Sequence, residues 1–142
     1  MLITPGHPCW PTSARRCEGE QLTNGFGRDV LSVDVPEPAV AGDTAMVRLR
    51  VKNVSQAPWQ RTNVLPVSIG YRILAPDGLA AQERRLLPAD VAPGEAIDLD
   101  VEVQWPAEPG EYELVVDLWL HPVRWFADAV GEPLVRRMVV VE

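Results

Sequence analysis

Between Pro93 and Val116 the chain reads as strand, corner, strand, and from Ile97 to Trp105 apolar and polar positions alternate strictly. Ile97, Leu99, Val101, Val103 and Trp105 are interleaved with Asp98, Asp100, Glu102 and Gln104. Successive side chains of a strand leave opposite faces, so this period of two predicts a strand with one buried face. The run Trp105-Pro106-Ala107-Glu108-Pro109-Gly110 then breaks it, because proline cannot donate to a ladder and glycine permits a sharp bend. Alternation resumes at Glu111-Tyr112-Glu113-Leu114-Val115-Val116, with a tyrosine just past the corner, and continues to Leu120.

The same reading applies along the rest of the chain. Val30 to Val35 predicts a first strand, ended by Pro36-Glu37-Pro38, and Ala41-Gly42-Asp43 a turn. Thr44 to Val54 is a second strand, with Val47, Leu49 and Val51 facing in and Arg48, Arg50 and Lys52 facing out. After the loop Ser55 to Asn63, a third strand covers Leu65 to Leu74, with Val67, Ile69, Tyr71 and Ile73 on one face. Pro76-Asp77-Gly78 is a turn signal, a weaker strand runs from Leu79 to Leu87, and a further turn from Pro88 to Gly94. The connection His121 to Gly131 leads to a last strand, Leu134 to Val141. No segment shows a helical period of useful length. The pattern predicts an all-β, immunoglobulin-like antiparallel sandwich of about seven to eight strands over residues 28–142. Residues 1–27 lack sustained periodicity and are read as an irregular or disordered arm.

Charge sharpens the topology. The basic stripe Arg48, Arg50 and Lys52 and the acidic stripe Asp98, Asp100 and Glu102 suit facing positions on antiparallel neighbours. In an immunoglobulin-like sandwich those two strands are paired in one sheet. Tyr112, after Pro109-Gly110, suits a tyrosine corner, in which the hydroxyl ties back to nearby backbone.

The bulk numbers bound the function. The 142 residues carry a net charge of −7, which argues against nucleic acid and against an anionic membrane surface as partners. Lys52 is the only lysine. No apolar run approaches the roughly 20 residues that span a bilayer, so no membrane insertion is expected. The first residues lack the basic start and apolar middle of a signal peptide. A cytoplasmic location is the resulting expectation, with Cys9 and Cys17 either reduced or closing a small loop.

Signals of catalysis are thin. His7 and His121 are far apart, no Gly-x-Ser-x-Gly frame or phosphate loop occurs, and His7, Cys9 and Cys17 fall short of a four-ligand zinc site. Asn53-Val54-Ser55 matches a glycosylation sequon but reads as a strand end. The chain is expected not to be an enzyme and to use no cofactor or metal. The five tryptophans are the better lead. Trp105 has inward parity and belongs to the core. Trp59 follows a proline in a loop, Trp119 has outward parity beside Asp117, and Trp125 lies in the final connection beside Phe126. An exposed indole can stack on the C–H face of a sugar while a neighbouring charged group takes its hydroxyls. Trp59, Trp119 and Trp125, with Arg72 and Asp117 as polar partners, are therefore candidate ligand-binding residues. Plugging the ends of the sandwich is the competing role for Trp59 and Trp125.

Several segments occur in a familiar order: Val51-Lys52-Asn53-Val54-Ser55, Pro58-Trp59, Val67-Ser68-Ile69-Gly70-Tyr71, Ala92-Pro93-Gly94-Glu95, Pro109-Gly110-Glu111-Tyr112-Glu113-Leu114, Asp117-Leu118 and Trp125-Phe126. Together they resemble the immunoglobulin-like module found beside bacterial glycosyltransferases and methyltransferases of surface-polysaccharide synthesis. The set is more distantly similar to the sugar-binding domain of polysaccharide ABC transporters and to four-tryptophan domains. The segment after Asp117-Leu118 departs from the short acidic or glycine-containing one usual there. The resemblance implies a non-catalytic carbohydrate-binding or accessory module acting with a glycan or a glycosyltransferase. Two alternatives stand beside it: a protein-interaction scaffold using an edge strand or the surface around Trp119 and Leu120, and a detached fragment of a larger glycosyltransferase.

Overall fold

A computed structural model describes residues 25–62, 65–121 and 124–142. His7, Cys9, Trp10 and Cys17, and nearly all of the expected N-terminal arm, lie outside the described residues. The elements are β1 (Arg28–Asp34), β2 (Thr44–Asn53), β3 (Val67–Ala75), β4 (Gly78–Leu86), β5 (Ala96–Gln104), β6 (Gly110–Leu120), β7 (Arg124–Trp125), α1 (Phe126–Val130) and β8 (Val135–Val141). A three-stranded sheet has the order β1-β2-β5. A larger sheet has the order β4-β3-β6, with both β7 and β8 paired to the far side of β6. All named strand pairs are antiparallel. This is the expected all-β, immunoglobulin-like sandwich.

Parity decides what is buried. Val47, Leu49 and Val51 of β2, Leu99, Val101 and Val103 of β5, and Ile69, Tyr71 and Ile73 of β3 fill the core with Trp105. The charge stripes meet as their signs require: Arg48 pairs with Asp100 and Arg50 with Asp98 across β2 and β5, and the Arg50–Asp98 ion pair closes to 2.9 Å. The tyrosine corner also forms, the Tyr112 hydroxyl donating to the Glu108 carbonyl at 2.7 Å.

One long side of the sandwich is closed. After β1 the chain passes a cis Glu37–Pro38 peptide bond and crosses to the other sheet. Ala39 bridges Val141 in parallel, and Ala41 N–H donates to the Glu142 carbonyl at 2.9 Å. On the opposite side β4 pairs with β3 rather than with β5, so among the described residues no strand joins the two sheets there.

Asn53 explains why the β2–β3 loop holds its shape. Its side chain is fully buried. The amide Nδ2 donates to the carbonyls of Ala57 and Val91 at 2.9 and 3.0 Å, and Oδ1 accepts from Ser55 N and Oγ at 2.9 and 2.6 Å. Both amide hydrogens are thus engaged inside the protein, and the sequon match is a structural asparagine.

Helix appears where no helical period was expected. The chain leaves β6 at Leu120, returns through the two residues of β7, makes the five-residue α1, and only then enters β8. Too short to show a period of 3.6, α1 is held by its ends and by Phe126, which is fully buried and packs edge-on to Phe26 and Trp59. Gly131 closes it in the left-handed region at φ 95°, a conformation that glycine adopts without steric cost.

Candidate functional site

Beta alternation sorts β6 into an inward set (Tyr112, Leu114, Val116, Leu118, Leu120) and an outward set (Glu113, Val115, Asp117, Trp119). On β3, Ser68, Gly70 and Arg72 share the outward parity. Register then fixes their neighbours. Gly70 stands between Arg84 of β4 and Asp117 of β6, and Ser68 between Leu86 and Trp119. Trp119 in turn faces Trp125. The outer face of the larger sheet therefore gathers two tryptophans, two arginines and an aspartate around one glycine.

The missing side chain of Gly70 makes the arrangement possible. A Cβ there would lie 2.6 Å from the Glu83 carbonyl oxygen, 2.8 Å from Arg84 Cγ and 3.0 Å from Trp125 Cη2. Trp125 and the stem of Arg84 occupy the space it leaves. The indoles of Trp119 and Trp125 meet edge to face, with centroids 5.0 Å apart, a favoured geometry for aromatic pairs. The Arg84 guanidinium lies 4.5 Å from the Trp119 centroid and that of Arg72 4.9 Å from the Trp125 centroid. The order Arg84–Trp119–Trp125–Arg72 is a cation–π ladder, each arginine contact contributing about 0.5–1 kcal/mol where exposed. Trp119 also places its Nε1 3.4 Å from His121 Nδ1.

Asp117 is fully buried despite its outward parity. Its Oδ2 accepts the Ala127 N–H at 2.7 Å. Trp125, the N-cap residue of α1, has no side chain that can cap, so a strand carboxylate does what a serine or aspartate usually does at that position. Asp117 Oδ1 has no hydrogen-bond partner among the described residues. Burial pushes its pKa from 3.8 up to about 6, against the opposing pull of the Ala127 and Leu118 amides and of the Arg28 and Arg72 charges. Neither Arg72 nor Arg84 takes part in an ion pair among the described residues, and Arg72 Nε is buried without a partner.

Four of the five residues singled out in the sequence are thus brought together: Arg72, Asp117, Trp119 and Trp125. Their accessibility differs. Trp119 and Arg72 are half-buried, whereas Trp125 is 8% exposed and supports the face from within. Trp59 is not part of this face. Its ring is fully buried and its Nε1 donates to the Gly25 carbonyl at 3.1 Å, so no ring face is left for a ligand; it plugs the core. Arg84 and His121 were missed as members of the face. Counting the register back from the Pro76-Asp77-Gly78 turn would set Glu83 opposite Gly70; a one-residue shift between Ile73 and Leu74 puts Arg84 there instead, and the His121 contact follows only from the turn beyond Leu120. Among the described residues no group of three or more His, Cys, Asp or Glu side chains is placed to hold a metal ion, and no helix is long and apolar enough to cross a membrane.

No protein-family model matches the sequence, and no curated protein matches it. Similar solved structures include the Pseudomonas fluorescens alkylpurine DNA glycosylase AlkC bound to DNA containing an abasic site analog. There the TM-score is 0.52 at 16% identity, over 89% of this chain and 34% of that one. The C-terminal domain of wzt gives 0.51 at 15% identity, over 81% and 69%. A β-glucosidase involved in saponin metabolism from intestinal bacteria gives 0.50 at 15% identity, over 82% and 16%. The chain therefore spans about a third of the glycosylase and about a sixth of the glucosidase. At such identities the likeness is one of fold alone.

Proposed function

We propose that the chain is a non-catalytic binding module whose ligand is an acidic saccharide, taken on the outer face of the larger sheet. The observation that carries this reading is the pairing of a half-exposed Trp119 with the guanidinium of Arg84, which has no carboxylate partner among the described residues. An indole stacks on the C–H face of a sugar ring, and a guanidinium receives a carboxylate or sulfate in bidentate fashion. Arginines without an ion-pair partner among the described residues, in a chain of net charge −7, favour an anionic ligand over a neutral one. Arg72 is the second cation, Trp125 positions both, and Asp117 holds the returning chain so that Trp125 stays beneath Trp119. The likeness of fold to the C-terminal domain of wzt and the sequence resemblance to modules of polysaccharide assembly support a place in bacterial surface-polysaccharide synthesis. The module would act in the cytoplasm, together with a glycosyltransferase.

The test is calorimetric titration of the whole chain with uronate-containing oligosaccharides and their neutral counterparts. Binding of the acidic series that drops at least tenfold in both Trp119→Ala and Arg84→Ala, with Val54→Ala unaffected, is expected. Absence of binding, or binding indifferent to both substitutions, removes the proposal.

A further inference from the structure

We infer that the open side of the sandwich is a docking groove where an extended basic segment of a partner protein adds as a strand beside β5.

Three observations lead there. The first is that, among the described residues, β5 has a free edge. At its two ends the residues that bond to β2 and its neighbouring turn are odd-numbered: Asn53 N–H donates to the Glu95 carbonyl at 2.8 Å, and Trp105 N–H to the Asp43 carbonyl at 2.9 Å. In an antiparallel ladder backbone groups alternate sides, so those of Asp98, Asp100 and Glu102 point away from β2. Gln104, of the same parity, confirms the direction: its N–H leaves the sheet to reach the Tyr71 hydroxyl at 3.2 Å.

The second is a cleft of about 290 Å³ along that edge, between β5 and the β3–β4 hairpin. Ile69, Tyr71, Leu87, Leu99 and Val101 form its floor. A strand laid along β5 would set alternate side chains on that floor while its backbone met the free N–H and C=O groups, the recognition mode of strand addition.

The third is charge. Glu83, Asp98, Asp100 and Glu102 line the cleft against Arg61 and Arg85, four carboxylates to two guanidiniums. Glu102 stands opposite Met46 rather than a base, so its carboxylate is the one of the β5 stripe without a cross-strand cation. A free edge guarded by carboxylates repels another copy of itself, as edge strands that avoid self-association do, and favours a lysine- or arginine-bearing strand.

The probe is an N-acetylated, C-amidated octapeptide of alternating valine and lysine, compared with its valine–glutamate counterpart. Amide hydrogen exchange is followed residue by residue in the full-length chain. The lysine peptide is expected to slow exchange at Asp98, Asp100 and Glu102, and the glutamate peptide to leave it unchanged. Asp100→Pro removes one edge donor without touching the β2 ladder and should lower affinity at least tenfold; Glu102→Lys should weaken binding and reduce its salt dependence. Trp119→Ala should leave peptide binding intact, which separates this groove from the saccharide face. Exchange at these amides indifferent to the lysine peptide overturns the proposal. So does equal protection by both peptides, or protection that rises with protein concentration alone, which would assign the edge to a second copy of this chain.

Discussion

Asp117 Oδ2 accepts the backbone N–H of Ala127 at 2.7 Å, so a carboxylate on β6 caps a helix ten residues further along the chain. The contact ties the returning strand to the sheet at the point where β7 ends and β8 has not begun. It also places a carboxyl in a buried position, where its charged form is disfavoured. Raised to about 6 in the folded chain, this group binds a proton in the fold at a pH where it is ionised in the unfolded chain. Stability from Asp117 is therefore greatest below pH 4, declines between about pH 4 and pH 6, and is flat above. The loss across that window is expected to be about 2–3 kcal/mol. Asp117→Asn keeps an oxygen for Ala127 and removes the titration. Urea unfolding from pH 4 to pH 7 should show that decline in the wild type and not in the variant.

Gly70 should be intolerant of a methyl group. A Cβ would meet backbone at 2.6 Å and the Trp125 ring at 3.0 Å, and only the Arg84 stem, at 2.8 Å, is free to move. Gly70→Ala is expected to cost about 1–3 kcal/mol, as overpacking does, and to displace Trp125 from Arg72. Thermal unfolding and the tryptophan near-ultraviolet circular dichroism report the two effects. A variant with wild-type stability and spectrum would show that the sheet yields without disturbing the ladder.

Asn53 is expected to be the most sensitive polar position described. Asn53→Ala takes one donor each from the Ala57 and Val91 carbonyls, which keep the Ser55 hydroxyl and the Trp59 N–H, and leaves the Ser55 N–H without its acceptor. An unsatisfied buried group costs about 1–3 kcal/mol, and a loss of about 2 kcal/mol is expected by urea denaturation. Proteolysis within residues 55–57 should rise in parallel, because that part of the loop loses the Asn53 contacts to Ser55 and Ala57, while the Trp59–Val91 backbone pair remains.

The framework was legible because it rests on local rules. The parity of β5 and β6, the charge signs on β2 and β5 and the Pro109-Gly110-Glu111-Tyr112 corner each depend on residues two apart or on opposite neighbours. The face depends on more. That Trp119 points outward follows from alternation, and Asp117 and Arg72 share its side by the same count. That Trp125 joins them depends on a two-residue strand and on the backbone path of α1, which no period announces. The inaccessibility of Trp59 is a tertiary fact as well: its ring meets Phe126, 67 positions away in the sequence. Burial of Asp117 arises from the same excursion, so an aspartate that reads as an exposed sugar partner turns out to be a cap.

Pairing between β2 and β5 can be tested through charge alone. Arg50 Nη1 and Asp98 Oδ1 are 2.9 Å apart, while Arg48 and Asp100 approach only to 3.9 Å. All four side chains are largely exposed, so solvent screens them and each pair is worth well under about 1 kcal/mol. Asp98→Arg sets two guanidiniums opposite each other and should cost about 0.5–1 kcal/mol at low salt. Adding Arg50→Asp restores an opposite pair in reversed order, and stability should return to within about 0.3 kcal/mol of wild type. The same reversal made between Arg48 and Asp98, which are not directly opposite, should recover less. Salt decides whether the effect is electrostatic: at about 1 M the Debye length falls to about 3 Å, and the single-variant penalty should then shrink toward zero. A penalty that persists unchanged at high salt would instead point to lost packing of the Arg50 stem against its neighbours on β2.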